Sequence, residues 1–243
     1  MNLHGQKPLL ASGVYAWDQL LVKKSEDREV RKLMEGSTTL FEYLEIHATT
    51  QYKGAKPRLP HAQKDLEEII LVKEGTMKFT MDDKDAILGP GSVILIPPLA
   101  MQALENIGNG SLTYYVLMFR SNTPMDMERS KSSGGPLFVN ADDLVFKSNV
   151  KGGRIDYINR PTAMCENAEL HVTQLNVQGP SHKAHKHIDS EMILVIEGEI
   201  DVVIEGVPHH GKAGDLFLIH SNEMHGIQNT QNKQCKYFAL RWK

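Results

Sequence analysis

The chain has 243 residues, enough for one large all-β domain or two domains of ordinary size. Hydrophobic residues make up 41% and charged residues 23%, the balance of a soluble globular protein. A formal net charge of -3 leaves no basic excess, which argues against nucleic acid as a partner, because phosphate binding needs concentrated Lys and Arg.

The first thirty residues carry polar breaks every few positions and lack the apolar core of a signal peptide. No apolar run reaches eighteen residues, so no membrane span is expected and a cytoplasmic location is the default. Residues 16–35 have room for a short helix, inside an N-terminal extension (1–35) expected to pack on the β-rich remainder of the chain. Beyond it, short apolar runs rich in Ile, Val, Phe and Tyr recur between Gly, Pro, Asn and Asp. They are Leu40–Ile46, Glu68–Val72, Val93–Ile96, Leu112–Phe119, Leu170–Leu175, Met192–Ile196, Asp201–Ile204, Leu216–Ile219 and Tyr237–Trp242. Such runs are the signature of many short strands in a sandwich or barrel. A further helical turn is expected near 139–146. Cys165 and Cys235 lie near apolar stretches and are expected to be reduced, buried thiols.

The chain repeats itself. Residues 71–106 and 194–229 both run glutamate-glycine, strand, turn, glycine, strand, turn and a closing Asn. Gly75 to Gly91 spans 16 positions, as does Gly198 to Gly214, and Gly91 to Gln102 spans 11, as does Gly214 to His225. Two copies of one β-unit are therefore expected, at 36–120 and 163–243, joined by a linker and lead-in strand at 121–162.

In the second copy four side chains have the spacing of a metal site. Residues an even number apart on a strand share a face, so His185, His187 and Glu191 point the same way if 185–196 is one extended stretch. Two turns then return the chain and bring up His225. Three imidazoles and a carboxylate suit Mn(II) or Fe(II) first, then Ni(II), Co(II) or Zn(II), rather than Ca(II) or Mg(II), which prefer all-oxygen shells. His209 and His210 fall in a turn, and His182 has the parity opposite to His187; all three are expected to be surface groups.

These motifs resemble those of the cupin superfamily, specifically its two-domain bicupins. The first motif of that family matches GPSHKAHKHIDSEMILVIEG, from Gly179 through His185, His187 and Glu191 to Gly198. The second matches GDLFLIHSNEMHGIQN, from Gly214 to His225 and Asn229, with His220 and Asn222 in place of the usual Pro and Gly. The resemblance implies two tandem double-stranded β-helix (jelly-roll) barrels, all-β, with the metal in the second. In the first copy the motif is degenerate: His61, Gln63 and Gln102 stand at ligand positions with either Glu67 or Glu68. Glu68 has the right spacing to Gly75, but its parity relative to His61 and Gln63 requires a bulge. A scaffold barrel is the expectation there, with a second metal as the alternative.

Cupins place unrelated functions on one barrel. Lys183 and Lys186 flank the ligand segment, and Arg154, Arg160, Gln174 and Arg241, with Tyr157, are candidate contacts for a small anionic, oxygen-rich substrate. The leading expectation is a metal-dependent dioxygenase, an oxidoreductase in which substrate and oxygen share two open metal positions. One alternative is a redox-neutral isomerase, decarboxylase or hydrolase, for which Glu223 is a candidate acid or base. The overall plan is similar to that of the (S)-ureidoglycine aminohydrolases, although their Glu, His, His and Gln ligand series is absent. The other alternative is a non-enzymatic small-molecule binding protein. Exposed sheet edges suit a homodimer.

Overall fold

A computed structural model describes residues 7–243. Apart from the six-residue helix Met127–Ser132 and two short 3-10 turns, the secondary structure is β. The chain divides into two compact units. One is built on Leu20–Asp143 and Pro161–Met164, the other on Leu9–Gln19, Leu144–Arg160 and Cys165–Lys243.

In the first unit a seven-stranded sheet runs in the order Leu137–Val139, Val93–Ile96, Glu67–Glu74, Leu112–Ser121, Phe41–Gln51, Arg28–Gly36, Val22–Lys24. A three-stranded sheet of Lys84–Leu88, Met77–Met81 and Gln102–Asn106 packs against it. The second unit repeats this order with Gly13–Tyr15, Leu216–Ile219, Ser190–Glu197, Cys235–Trp242, Ala168–Leu175, Gly152–Arg160 and Lys147–Asn149. Its smaller sheet holds Gly179–Pro180, His225–Asn229, Glu199–Ile204 and Val207–Lys212. One edge strand of the first sheet, Leu137–Val139, thus comes from the inter-barrel segment, and one edge strand of the second, Gly13–Tyr15, from near the N-terminus.

Alternation explains why these segments are strands. In Met77–Met81, Met77, Phe79 and Met81 are buried against Ile70, Ile94 and Leu112, while Lys78 and Thr80 face outward. Ile200, Val202 and Ile204 do the same against Ile193, Phe217 and Tyr237. The duplicated glutamate-glycine pairs have a steric cause. Gly75 and Gly198 take φ of 87° and 74°, and a Cβ there would lie 2.4 Å from the Ser111 carbonyl oxygen and 2.6 Å from that of Gln234.

Two expectations need correction. Residues 16–35 do not form an α-helix; apart from the turn Trp17–Gln19, they contribute the strands Val22–Lys24 and Arg28–Gly36. Pairing of Arg28–Gly36 along Phe41–Gln51 overrides a weak local helical pattern. The segment 121–162 is not a simple linker, since it holds the helix Met127–Ser132, capped by the Asp126 side chain, and three strands. Its last residue joins Ala163 and Met164 in covering Glu67 of the first barrel. Near 139–146 the turn is Ala141–Asp143. Cys165 and Cys235 are buried thiols, not joined in a disulfide. Among the described residues no helix is long and apolar enough to cross a membrane.

Candidate metal centre

Glu191 sits at the second position of the strand Ser190–Glu197, opposite Ile219 on one side and Arg241 on the other. Its side chain points inward with Ile193 and Val195, which continue into the apolar core of the second barrel. His185 and His187 precede that strand. The continuous stretch 185–196 expected from parity is absent, because the chain turns at 188–189. What aligns the imidazoles is a backbone bridge. His185 N–H donates to the His225 carbonyl at 2.9 Å and His225 N–H returns to the His185 carbonyl at 2.8 Å. The His187 carbonyl accepts from Asn222 N–H at 2.7 Å, tying the second ligand to the same returning turn. Asn222 has φ 65°, a left-handed position that Asn tolerates in place of the family's Gly.

The potential ligand atoms of His185, His187 and His225 all lie within 4.8 Å of one another. Their tautomers follow from their partners. His187 Nδ1–H donates to the Asp189 carbonyl and His225 Nδ1–H to the Glu223 carbonyl, both at 2.9 Å. The Nε2 lone pairs of both rings are therefore turned inward, buried and without a donor. They face Glu191 Oε2 at 3.4 Å and 3.1 Å. Acceptors meeting acceptors in a dry site repel unless a positive charge stands among them. A divalent cation fits that position, and mixed nitrogen and oxygen donors are the chemistry of a transition-metal site. The His triad is a divalent metal-binding site.

A proton can meet the same need as a cation. Burial pushes the Glu191 carboxyl up, but hydrogen bonds and charge from protonated His187 and His225 rings outweigh it and hold the pKa at about 2. Glu191 in turn raises His187, whereas burial and the neighbouring rings lower His185.

A cavity of about 520 Å³ adjoins the triad within the second barrel. His185 and Glu191 line it with His171, Arg154, Arg241 and Tyr237. Glu169 joins the two arginines, accepting from Arg154 at 2.6 Å with one oxygen and from Arg241 with the other. Arg241 Nε is buried with no acceptor. Burial, then the Arg154 charge, lowers the His171 pKa to about 4, so that ring is neutral at physiological pH. Burial pushes the Tyr237 hydroxyl up to about 12.

Of the expected substrate contacts, Arg154, Gln174 and Arg241 line this cavity and Arg160 does not. Arg154 and Arg160 have equal parity, but the register shifts between Asp156 and Ile158, and the bulge turns the later residues over. Tyr157 lies at that bulge and packs on the Phe238 ring at 5.3 Å. Lys183 and His182 reach the cavity wall, whereas Lys186 is not part of it. Glu223 is not placed as an acid or base: its carboxylate accepts from Ser12 Oγ at 2.6 Å and His220 N–H at 2.8 Å, tying the turn down. His210 pairs with Asp201, and His209 and His182 stay outside the triad. His171 and Glu169 were missed. The signal was their shared parity with Thr173 in AELHVTQL, one strand before the motif.

The first barrel carries the same backbone frame. His61 bridges Gln102, and the Gln63 carbonyl accepts from Leu99 N–H at 2.7 Å, as His187 does from Asn222. Glu68, not Glu67, faces the ligand positions, where Gln102 Nε2 donates to it at 2.6 Å. The parity objection falls away because no continuous strand joins His61 to Glu67. Glu67 points the other way and accepts from Thr162 Oγ1, Ala163 N–H and Met164 N–H.

A family model described as "Cupin domain" matches the chain twice, over residues 48–118 and 171–241, together more than half its length. No curated protein matches the sequence. Among solved structures, the protein Ylba from E. coli is 13% identical with a TM-score of 0.73, covering 99% of this chain and 95% of that one. AerE from Microcystis aeruginosa is 10% identical with a TM-score of 0.72, over 96% of this chain and 100% of that one. A Lactobacillus farciminis oxalate decarboxylase in complex with formate is 12% identical with a TM-score of 0.73, over 96% and 87%. At such identities the likeness shows a shared fold. No finding ties the chain specifically to the ureidoglycine aminohydrolases. Two matches to the family model, on two barrels of the same strand order, make this chain a two-domain member of the cupin family, a bicupin.

Proposed function

We propose that the second barrel is the active site of a metal-dependent enzyme acting on a small carboxylic acid by a redox-neutral, decarboxylase-type reaction. One observation carries the reading: lone pairs of His187 and His225 lacking a donor lie in the same barrel interior as a guanidinium, Arg241, whose Nε lacks an acceptor. A cation answers the first need and an anionic oxygen the second, so a small acid chelating the ion and reaching Arg241 satisfies both. His185, His187, Glu191 and His225 would hold the ion, with Mn(II) or Fe(II) the best match to three nitrogens and one carboxylate. When bound, the metal supplies Lewis acidity toward a carboxylate or carbonyl oxygen.

The protein's own groups do the rest. Glu169 locks Arg154 and Arg241 into fixed directions, so the acid is oriented without reorganising the site. His171, kept neutral by burial, adds no competing charge beside the substrate. In the decarboxylation the bond to the carboxyl carbon breaks, carbon dioxide leaves, and the retained electron pair takes up a proton from water. The oxalate decarboxylases among the similar folds favour this reading over the dioxygenase expected from the motif alone.

The test is to load the purified protein with Mn(II), Fe(II), Ni(II) and Zn(II) in turn and offer oxalate and other small acids, following carbon dioxide, oxygen and product mass. Carbon dioxide with no net oxygen consumption supports the proposal. Oxygen uptake in step with product overturns it in favour of the oxygenase, and tight binding without any new mass overturns it in favour of a receptor.

A further inference from the structure

The first barrel has a single histidine, His61, at the ligand positions, with Gln63 and Gln102 at the others, yet it has not closed up. A cavity of about 270 Å³ remains, near the lower end of the roughly 300–1,000 Å³ common for ligand pockets. A barrel that served only as scaffold would fill this space with side chains, since protein interiors pack densely. Polar groups stand among its apolar lining: His47, Thr49 and Gln51 alternate along one face of Phe41–Gln51, opposite Tyr114 and Val116, with Arg58 and His61 arriving from the loop before Glu67–Glu74.

Two of these groups lack partners. Gln51 is 1% exposed, lines the cavity, and its Oε1 accepts no hydrogen bond, while its Nε2 reaches the Tyr114 hydroxyl at 3.5 Å. A buried carbonyl oxygen of this kind needs a donor. Arg58 lines the same cavity and makes no ion pair or hydrogen bond among the described residues. By contrast, the ligand end of the cavity is already satisfied. The Gln102 carboxamide donates to Glu68, and its hydrogen stands where the second barrel sets lone pair against lone pair.

We propose that the first barrel is a second ligand chamber, working without a metal, for a small hydroxycarboxylic acid. The carboxylate pairs with the Arg58 guanidinium, and a hydroxyl of the ligand donates to Gln51 Oε1. A guanidinium selects the acid, and an orphaned acceptor selects a hydroxylated one over its plain analogue. The chamber lies wholly within the first unit, so the proposal is independent of the reaction assigned to the second.

The test uses the full chain carrying His187→Ala and His225→Ala and treated with a chelator, so that the second barrel cannot chelate the probe. Calorimetric titration compares glycerate with propionate, which lacks the hydroxyls, and glycerol, which lacks the carboxylate. Glycerate is expected to bind once per chain, at least about tenfold tighter than either analogue, with Arg58→Ala losing about tenfold or more. Arg58 is exposed, so its replacement leaves the fold intact, as an unchanged circular dichroism spectrum checks. Gln51→Leu should bring glycerate down to the affinity of propionate. No heat of binding at tens of millimolar glycerate, or equal affinity with and without Arg58, overturns the proposal and leaves a water-filled cavity.

Discussion

His225 Nε2 lies 3.1 Å from Glu191 Oε2 while the other nitrogen of the same ring is engaged by the Glu223 carbonyl. A neutral imidazole donates from one nitrogen only, so this contact is repulsive until a cation or a proton enters it. The backbone bridge between His185 and His225 holds the geometry in place.

Removing a ligand should empty the site. His187→Ala and His225→Ala are expected to lower metal affinity by more than the roughly 10–100-fold typical of outer-shell changes. His209→Ala should leave stoichiometry unchanged. Metal analysis after gel filtration measures both, and equal loss in the two classes would remove the ligand assignment.

Arg241→Ala separates substrate binding from metal binding. The guanidinium is joined to Glu169 and lines the cavity beside the triad. Metal content should stay near the unmutated level, while the affinity for small acids falls about tenfold or more, since losing one partner of a charged hydrogen bond costs about 1.5–3 kcal/mol. A parallel loss of metal would show that Arg241 supports the ligands rather than the substrate.

Leu99 occupies the turn position that Asn222 holds in the second barrel, and it does so with φ 69°. A left-handed conformation costs a β-carbon residue about 1–2 kcal/mol, and Leu99 is 57% exposed, so little burial is lost with its side chain. Leu99→Gly should therefore stabilise the first barrel by about 0.5–1 kcal/mol after the entropy of the unfolded glycine is counted. Urea melts followed by a probe in that barrel would reveal the gain; destabilisation would mean that the leucine packs against something essential.

Glu45 predicts an acid-sensitive first barrel. Its hydrogen bond to His47 leads, and with the Tyr43 hydroxyl and the Lys32 charge it overcomes burial and pulls the carboxyl from 4.5 to about 2. A carboxyl depressed by folding stabilises the native state fully above its unfolded pKa, and that stability is lost as pH falls through the folded one. The loss should thus run from about pH 4.5 down to about pH 2. Glu45→Gln should flatten the dependence in that window, as seen in melting temperature against pH, while lowering stability at neutral pH.

The duplication, the strand-rich class and the three histidines that come together in the second barrel were legible in the order of amino acids, for reasons that are local. Gly75 and Gly198 mark turns where a side chain would strike the neighbouring backbone, so their equal spacing to Gly91 and Gly214 records equal architecture. His185, His187 and His225 are imidazoles among apolar strands, an arrangement with few other uses. Other features came only from the tertiary structure. Nearness to the predicted strands named Arg160 beside Arg154, but the bulge at Tyr157 turned it away. Parity left Glu67 and Glu68 undecided, and a loop where a strand was assumed settled the choice. Glu169 clamps Arg154 and Arg241 because Ala168–Leu175 pairs with both Gly152–Arg160 and Cys235–Trp242. Alternation is a property of one strand, which any bulge or loop resets. Neighbours across a barrel are set by hydrogen-bond register between strands far apart in the chain, which no single segment encodes.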